Sequence, residues 1–195
     1  MSERPPRPAD ATLAFADQGE FESWLETNHA NTAGLWLQLA KKGSGQPSVT
    51  YAQAVEVALC FGWVDGQKAK GDERHWLQRF TPRAGRSRWS RINREKAEQL
   101  IAAGRMRPAG LAQVQQAKDD GRWERAYEGQ RNAAVPPELQ RGLDNDQRAA
   151  RAFAKLNASS RYSVIWRIND AKRPETRARR VAKYLKMLSS GETPP

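Results

Sequence analysis

The chain has 195 residues, 33 Lys or Arg against 22 Asp or Glu, and a formal net charge of +11; its sequence pI is about 10.2. With 38% hydrophobic and 28% charged residues it reads as soluble and globular, long enough for one core or for one domain plus a helical appendage. No run approaches the ~18 apolar residues of a membrane helix, and a single cysteine, Cys60, excludes an internal disulfide and a Cys-rich metal site.

Residues 1–11 carry Pro5, Pro6 and Pro8 and lack the apolar stretch of a secretory signal, so they read as a disordered leader. Together with the lone cysteine this sets a cytoplasmic location as the expectation. Thr12 to Phe15 suit a short edge strand. Asp17 is placed to cap a helix, with Glu20 at the capping-box position and Phe21, Trp24 and Leu25 on one face to about Asn28. Leu35, Leu37 and Leu39 then alternate with Trp36 and Gln38, the period-2 pattern of a strand. Thr50 caps a helix from Tyr51 to about Phe61, ended by Gly62.

Trp63-Val64 begin a further strand, and Trp76–Phe80 another. Gly66 and Gly71 bracket the connection, which predicts an antiparallel pair. After Thr81-Pro82 the pattern turns helical: one helix, capped by Ser90 or Asn93 and ended by Gly104, carries Ala97, Leu100 and Ile101 inward, and the next starts at Pro108 with Leu111, Val114 and Ala117 inward. Residues 128–136 read as a linker. Beyond it, helices are expected around Pro137–Gly142 and Asp146–Leu156. Another runs over Arg161–Ala171, capped by Ser159 with Tyr162, Ile165 and Trp166 inward, and the last runs from Pro174 to the stop at Gly191. In it Ala178, Val181, Leu185 and Leu188 form an apolar stripe opposite Arg179, Arg180, Lys183 and Lys186, a basic face suited to a polyanion.

The fold class that results is α+β. A small mixed β-sheet packed with helices occupies residues 12–127, and an all-helical domain occupies 137–191, followed by a short tail, 192–195. A strand, a helix and a strand over residues 35–64 also make a possible crossover unit.

At FGWVDGQ, LQRFTPR and SRWSRIN, and again at LIAAGRMRPAGL and AKDDGRW, the chain resembles the bacterial YdeI/OmpD-associated family. VPPELQRGL, YSVIWRINDAKRPETRARRVAKYLKML and the closing Gly191 resemble that family's C-terminal bacteriocin-protection domain, so the likeness covers roughly residues 12–191. The resemblance implies a protein associated with stress, antimicrobial-peptide or bacteriocin resistance. It carries no settled reaction and therefore no catalytic residues.

The charge is uneven. Residues 131–195 hold 14 basic and 6 acidic side chains, and residues 68–107 hold 12 and 4. Such excess attracts polyanions. The constellation that suits an anion is Gln78, Arg79, Thr81, Arg83, Arg86, Ser87, Arg88, Trp89 and Asn93. A strand ends at Pro82 and releases a basic loop whose Arg83, Arg86 and Arg88 can converge on one oxyanion, helped by the following helix N-terminus. Trp89 offers a flat face to a base, a sugar or a guanidinium; the alternative is that it packs in a seam while the arginines are solvated.

Glu56 and Asp65 flank one helix–strand junction. They read either as an acidic pair or separately, Asp65-Gly66 as a turn and Glu56 as the structural partner of Arg79 or Arg83. Cys60, on a hydrophobic helix face, reads as a small hydrophobe. His29 and His75 fall in polar connections, and no HExxH, CxxC or phosphate-loop spacing appears, so neither a metal nor a cofactor is expected.

Two functions follow. One is a non-enzymatic cytoplasmic module that binds an anionic small molecule or an acidic partner, with non-specific nucleic acid as the possible polyanion. The other is a small enzyme for a phosphorylated or carboxylated metabolite, using Glu56 or Asp65 as base and Arg83 as clamp. Oligomeric state is not set by the sequence.

Overall fold

The computed structural model describes residues 11–129 and 132–194. The leader reading falls outside these residues except at Ala11, which opens the first strand. The chain divides into two compact units, with the boundary between Tyr127 and Glu128. The first is α+β and the second is helical.

In the first unit, four strands, β1 (Ala11–Ala14), β2 (Leu35–Ala40), β3 (Trp63–Lys70) and β4 (His75–Pro82), form one mixed sheet in the order β1-β2-β4-β3. β1 and β2 are parallel, while β4 runs antiparallel to both β2 and β3. The crossover expected from β2 through a helix to β3 is therefore split, because β4 lies between the two strands. Four helices belong to this unit: α1 (Gln18–Asn28), α2 (Tyr51–Cys60), α3 (Arg91–Ala102) and α4 (Pro108–Asp119).

Helix α2 is the hub of the core. Thr50 and Gln53 close a full capping box at its start, and Ala54, Val55, Val57, Ala58, Leu59 and Cys60 are buried along its length. Its end is fixed by Gly62, whose φ of +73° suits a residue without a Cβ. Leu35, Leu37, Leu39 and Phe80 meet it from the sheet, with Phe21 and Leu25 from α1. Two ion-pair groups tie the remaining helices to it and to each other. Glu56 accepts from Lys96 at 2.7 Å and Arg105 at 3.5 Å, and Arg107 reaches Glu26 at 2.6 Å and Glu22 at 3.2 Å.

Several sequence expectations shift. β3 extends through Asp65-Gly66 to Lys70, so that dipeptide is not a turn; a register shift between Asp65 and Lys68 marks a bulge there instead. The hairpin turn is at Gly71–Arg74, where Asp72 accepts the backbone N–H groups of Arg74 and His75. Ile101 and Leu111 are exposed, and Gly110 takes the inward place.

The second unit holds α5 (Pro137–Asp144), α6 (Gln147–Lys155), α7 (Ala158–Asn169) and α8 (Pro174–Ser189) around Leu139, Phe153, Ile165, Ile168, Val181 and Leu188. Asn157, not Ser159, caps α7. Tyr184 completes the buried stripe of α8, whereas Ala178 faces solvent. Val164 and Ile168 take the inward positions in α7 that Tyr162 and Trp166 were expected to fill.

Gly110 is where α4 crosses the end of α2. A Cβ there would lie 2.3 Å from the Cys60 carbonyl oxygen, a contact that only movement of backbone relieves. Gly110→Ala is expected to lower stability by about 1–3 kcal/mol, measured by urea unfolding; an unchanged midpoint would show that the two helices are not held at this distance.

Candidate functional site

Arg83 follows β4 directly, and its N–H donates to the Gly62 carbonyl at 2.9 Å. Its side chain turns inward. It is only 6% exposed, its guanidinium carbon lies 3.7 Å from the centroid of the Trp89 ring, and Nη1 donates to the Arg88 carbonyl at 3.0 Å. Trp89 is itself 2% exposed and meets Trp123 edge to face with centroids 4.8 Å apart. Of the three partners the sequence allowed for the Trp89 face, the guanidinium is the one present.

Burial lowers the pKa of Arg83 to about 10, against the attraction of nearby Asp65. Nε and Nη2 of Arg83 have no acceptor among the described residues. A solvent-facing clamp of Arg83, Arg86 and Arg88 is therefore not what the fold builds: the first covers an indole in the core, and the other two stay on the exposed loop.

The rest of that constellation is dispersed. Gln78 is buried and its Nε2 donates to the carbonyls of Gly66 at 2.9 Å and Gln67 at 3.2 Å, bracing the β3 bulge. Arg79 and Thr81 alternate onto the sheet face opposite Gln78 and Phe80. Ser87 Oγ accepts from the Ala84 N–H at 2.9 Å, and Ser90, the cap of α3, accepts from Asn93. Glu56 and Asp65 have separate partners. Glu56 is met by Lys96 and Arg105 rather than by the arginines expected for it, and Asp65 accepts the Tyr51 hydroxyl at 2.6 Å. The Asp65 carboxylate and burial both push the Tyr51 phenol well above its ordinary pKa, burial most.

The structure gathers a different set of cations. An open recess of about 460 Å³ lies beside the β3–β4 hairpin, lined by Lys41, Lys68, Ala69, Lys70, Gly71 and Trp76. The pairing explains it: Lys70 is directly opposite Trp76 and Lys68 opposite Gln78, so both lysines share one face of the sheet with the indole. Lys68 Nζ sits 4.3 Å from the Trp76 ring centroid, and the Tyr51 ring flanks the indole at 5.9 Å. Lys41 reaches across from the end of β2 and donates to the carbonyls of Asp72 at 2.8 Å and Glu73 at 3.3 Å. An ammonium has three N–H donors, so one remains for a ligand. The Asp72 carboxylate is occupied by His75 Nδ1 and the two turn amides and is held below the usual carboxylate range by them, the Arg74 amide first.

The three lysines at 41, 68 and 70 are unrelated along the sequence until register aligns them. The i, i+2 spacing of Lys68 and Lys70 was the one local signal.

In the second unit, Arg179, Lys183 and Lys186 are exposed on α8, while Arg180 is drawn to the Arg167 carbonyl and to Asp170. A second recess, of about 590 Å³, includes Arg148, Arg151 and Lys155 of α6 and the end of α8. Among the described residues no group of three or more His, Cys, Asp or Glu could hold a metal, and no helix is long and apolar enough to cross a membrane.

The buried cation makes a stability prediction. Arg83→Ala uncovers Trp89 and leaves a hole, and is expected to destabilise the protein by about 2 kcal/mol or more. Arg83→Met fills the same slot without a buried charge and is expected to be neutral or stabilising. Urea unfolding of both variants checks this; equal and small effects would show that the stack on Trp89 contributes nothing.

Comparison with known proteins divides the chain at nearly the same place. Residues 13–113 match the model of a domain of unknown function (DUF8412), and residues 132–191 match the family described as Bacteriocin-protection, YdeI or OmpD-Associated. The resemblance read over residues 12–191 is thus carried by that second family only in the C-terminal unit. No curated protein and no solved structure matches significantly. With more than half of its length matched by the first model, the chain belongs to the DUF8412 family and ends in a bacteriocin-protection, YdeI or OmpD-associated domain.

Proposed function

We propose that this protein is a non-enzymatic binding module for an anionic ligand, acting in the cytoplasm, and that the ligand is held in the lysine-lined recess beside the β3–β4 hairpin. The single observation that carries this reading is the convergence of Lys41, Lys68 and Lys70 on one concavity with no carboxylate among its lining residues. The basic residues of the 68–107 stretch are otherwise largely engaged. Arg83 covers Trp89, Lys96 and Arg105 neutralise Glu56, Arg107 is shared by Glu22 and Glu26, and Arg94 pairs with Glu98 at 3.1 Å. Lys68 and Lys70 are exposed, and their charges add on the same open recess.

Binding is favoured over catalysis because the two carboxylates assigned as bases in the enzymatic reading are committed elsewhere. Glu56 is bound by two cations and Asp65 by a phenol. The bacteriocin protection named in the C-terminal family's description is, on this reading, served indirectly. At +11 the protein repels cationic peptides, and its complement is an intracellular anion.

Titration calorimetry with inorganic tripolyphosphate tests the assignment. The parent protein is expected to bind at low ionic strength and to weaken as salt approaches 150 mM, a concentration with a Debye length of about 8 Å. Lys68→Ala with Lys70→Ala is expected to lower affinity about tenfold or more while the unfolding midpoint stays put, since both side chains are exposed. Undiminished binding by the double variant would move the anion to another surface.

A further inference from the structure

Four observations about the recess go beyond a preference for negative charge. Its lining includes an indole, Trp76, that packs on the edge of the core and stays partly exposed. A second ring, Tyr51, stands against it at an interplanar angle of 49° and is 42% exposed. Lys68 Nζ lies over that indole, and Lys41 and Lys70 line the same recess. The volume of about 460 Å³ is also that of a site for a ligand much larger than a bare oxyanion. An aromatic surface bordered by cations recognises a flat π-system that carries its negative charge on a short arm.

We infer that the recess takes a nucleobase with its phosphate: the base stacks against Trp76, and Lys41, Lys68 and Lys70 hold the phosphate oxygens. This inference rests on the anion reading of the same site and narrows it to a ligand class. Lys41 is anchored by two turn carbonyls, so its charge is placed before the ligand arrives, whereas Lys68 and Lys70 are exposed and Lys68 exchanges its place over the indole for the phosphate as the base stacks. The chemistry is shared by a free nucleotide and by one residue of a single strand. Apart from the three ammonium groups and the Trp76 indole N–H, no side-chain donor or acceptor is among the lining residues, so discrimination between bases is expected to be slight.

The test compares adenosine 5′-monophosphate with ribose 5-phosphate, which has the same phosphate and no base, and with a ten-residue oligothymidylate. All are measured on the full chain by calorimetry and by quenching of tryptophan fluorescence. The nucleotide is expected to bind about tenfold or more tighter than ribose 5-phosphate. That preference is expected to vanish in Trp76→Leu and to survive in Trp76→Phe, whose ring still stacks.

A tighter complex with the oligomer, weakening steeply with salt, assigns a single strand; an oligomer no tighter than the mononucleotide assigns a free nucleotide, and either supports the inference. Equal affinity for the nucleotide and ribose 5-phosphate overturns the base-stacking inference while leaving the anion site standing. Failure of nucleotide, ribose 5-phosphate and tripolyphosphate alike removes both. A Trp76→Leu protein that does not fold leaves the decision to the parent's preference between the two phosphates and to Trp76→Phe.

Discussion

The pairing of β4 with both β2 and β3 decides where nearly every informative side chain of the N-terminal unit ends up. Register sets Lys70 across from Trp76 and Asp65 across from Phe80, and it forces the bulge that Gln78 fills from within the sheet. Where the strand stops at Pro82, the next residue is already inside, so Arg83 is delivered to the face of Trp89. At the other end the hairpin runs to Gly71, where a Cβ would meet the His75 carbonyl oxygen at 2.7 Å, and this tight turn shapes the wall of the recess.

Two kinds of arginine and lysine come out of this. One kind is structural: Arg83 on an indole, and Lys96, Arg105 and Arg107 on carboxylates that link α1, α2, α3 and α4. These explain why a stretch so rich in positive charge packs instead of repelling itself. The other kind is left facing solvent. The recess differs from the exposed loop of Arg86 in having an aromatic ring in its lining and one ammonium already fixed by the backbone.

Much of the fold was legible because local chemistry announced it. Thr50, Ser90, Pro108 and Pro174 mark helix starts that the structure keeps, and the alternation of Leu35, Leu37 and Leu39 marks a strand. Asp65-Gly66 misled because Asp and Gly are turn residues, and a bulge uses the same permissive chemistry inside a strand. Arg83 misled for a different reason: an arginine after a strand-ending proline reads as solvated, and only the tertiary position of Trp89 shows the apolar face it covers. The recess was illegible because Lys41 and Lys70 become neighbours through two strand pairings, a relation that one-dimensional spacing does not contain.

The proposed function requires negative charge to be received beside Trp76 and not beside Trp89. Seven indole N–H groups give seven signals in a proton–nitrogen correlation spectrum, and Trp76→Phe and Trp89→Phe identify the two that matter. Titrating inorganic tripolyphosphate into the labelled protein should shift the Trp76 signal progressively and leave that of buried Trp89 in place. A shift confined to Trp89, or spread evenly over all the indoles, would contradict the assignment.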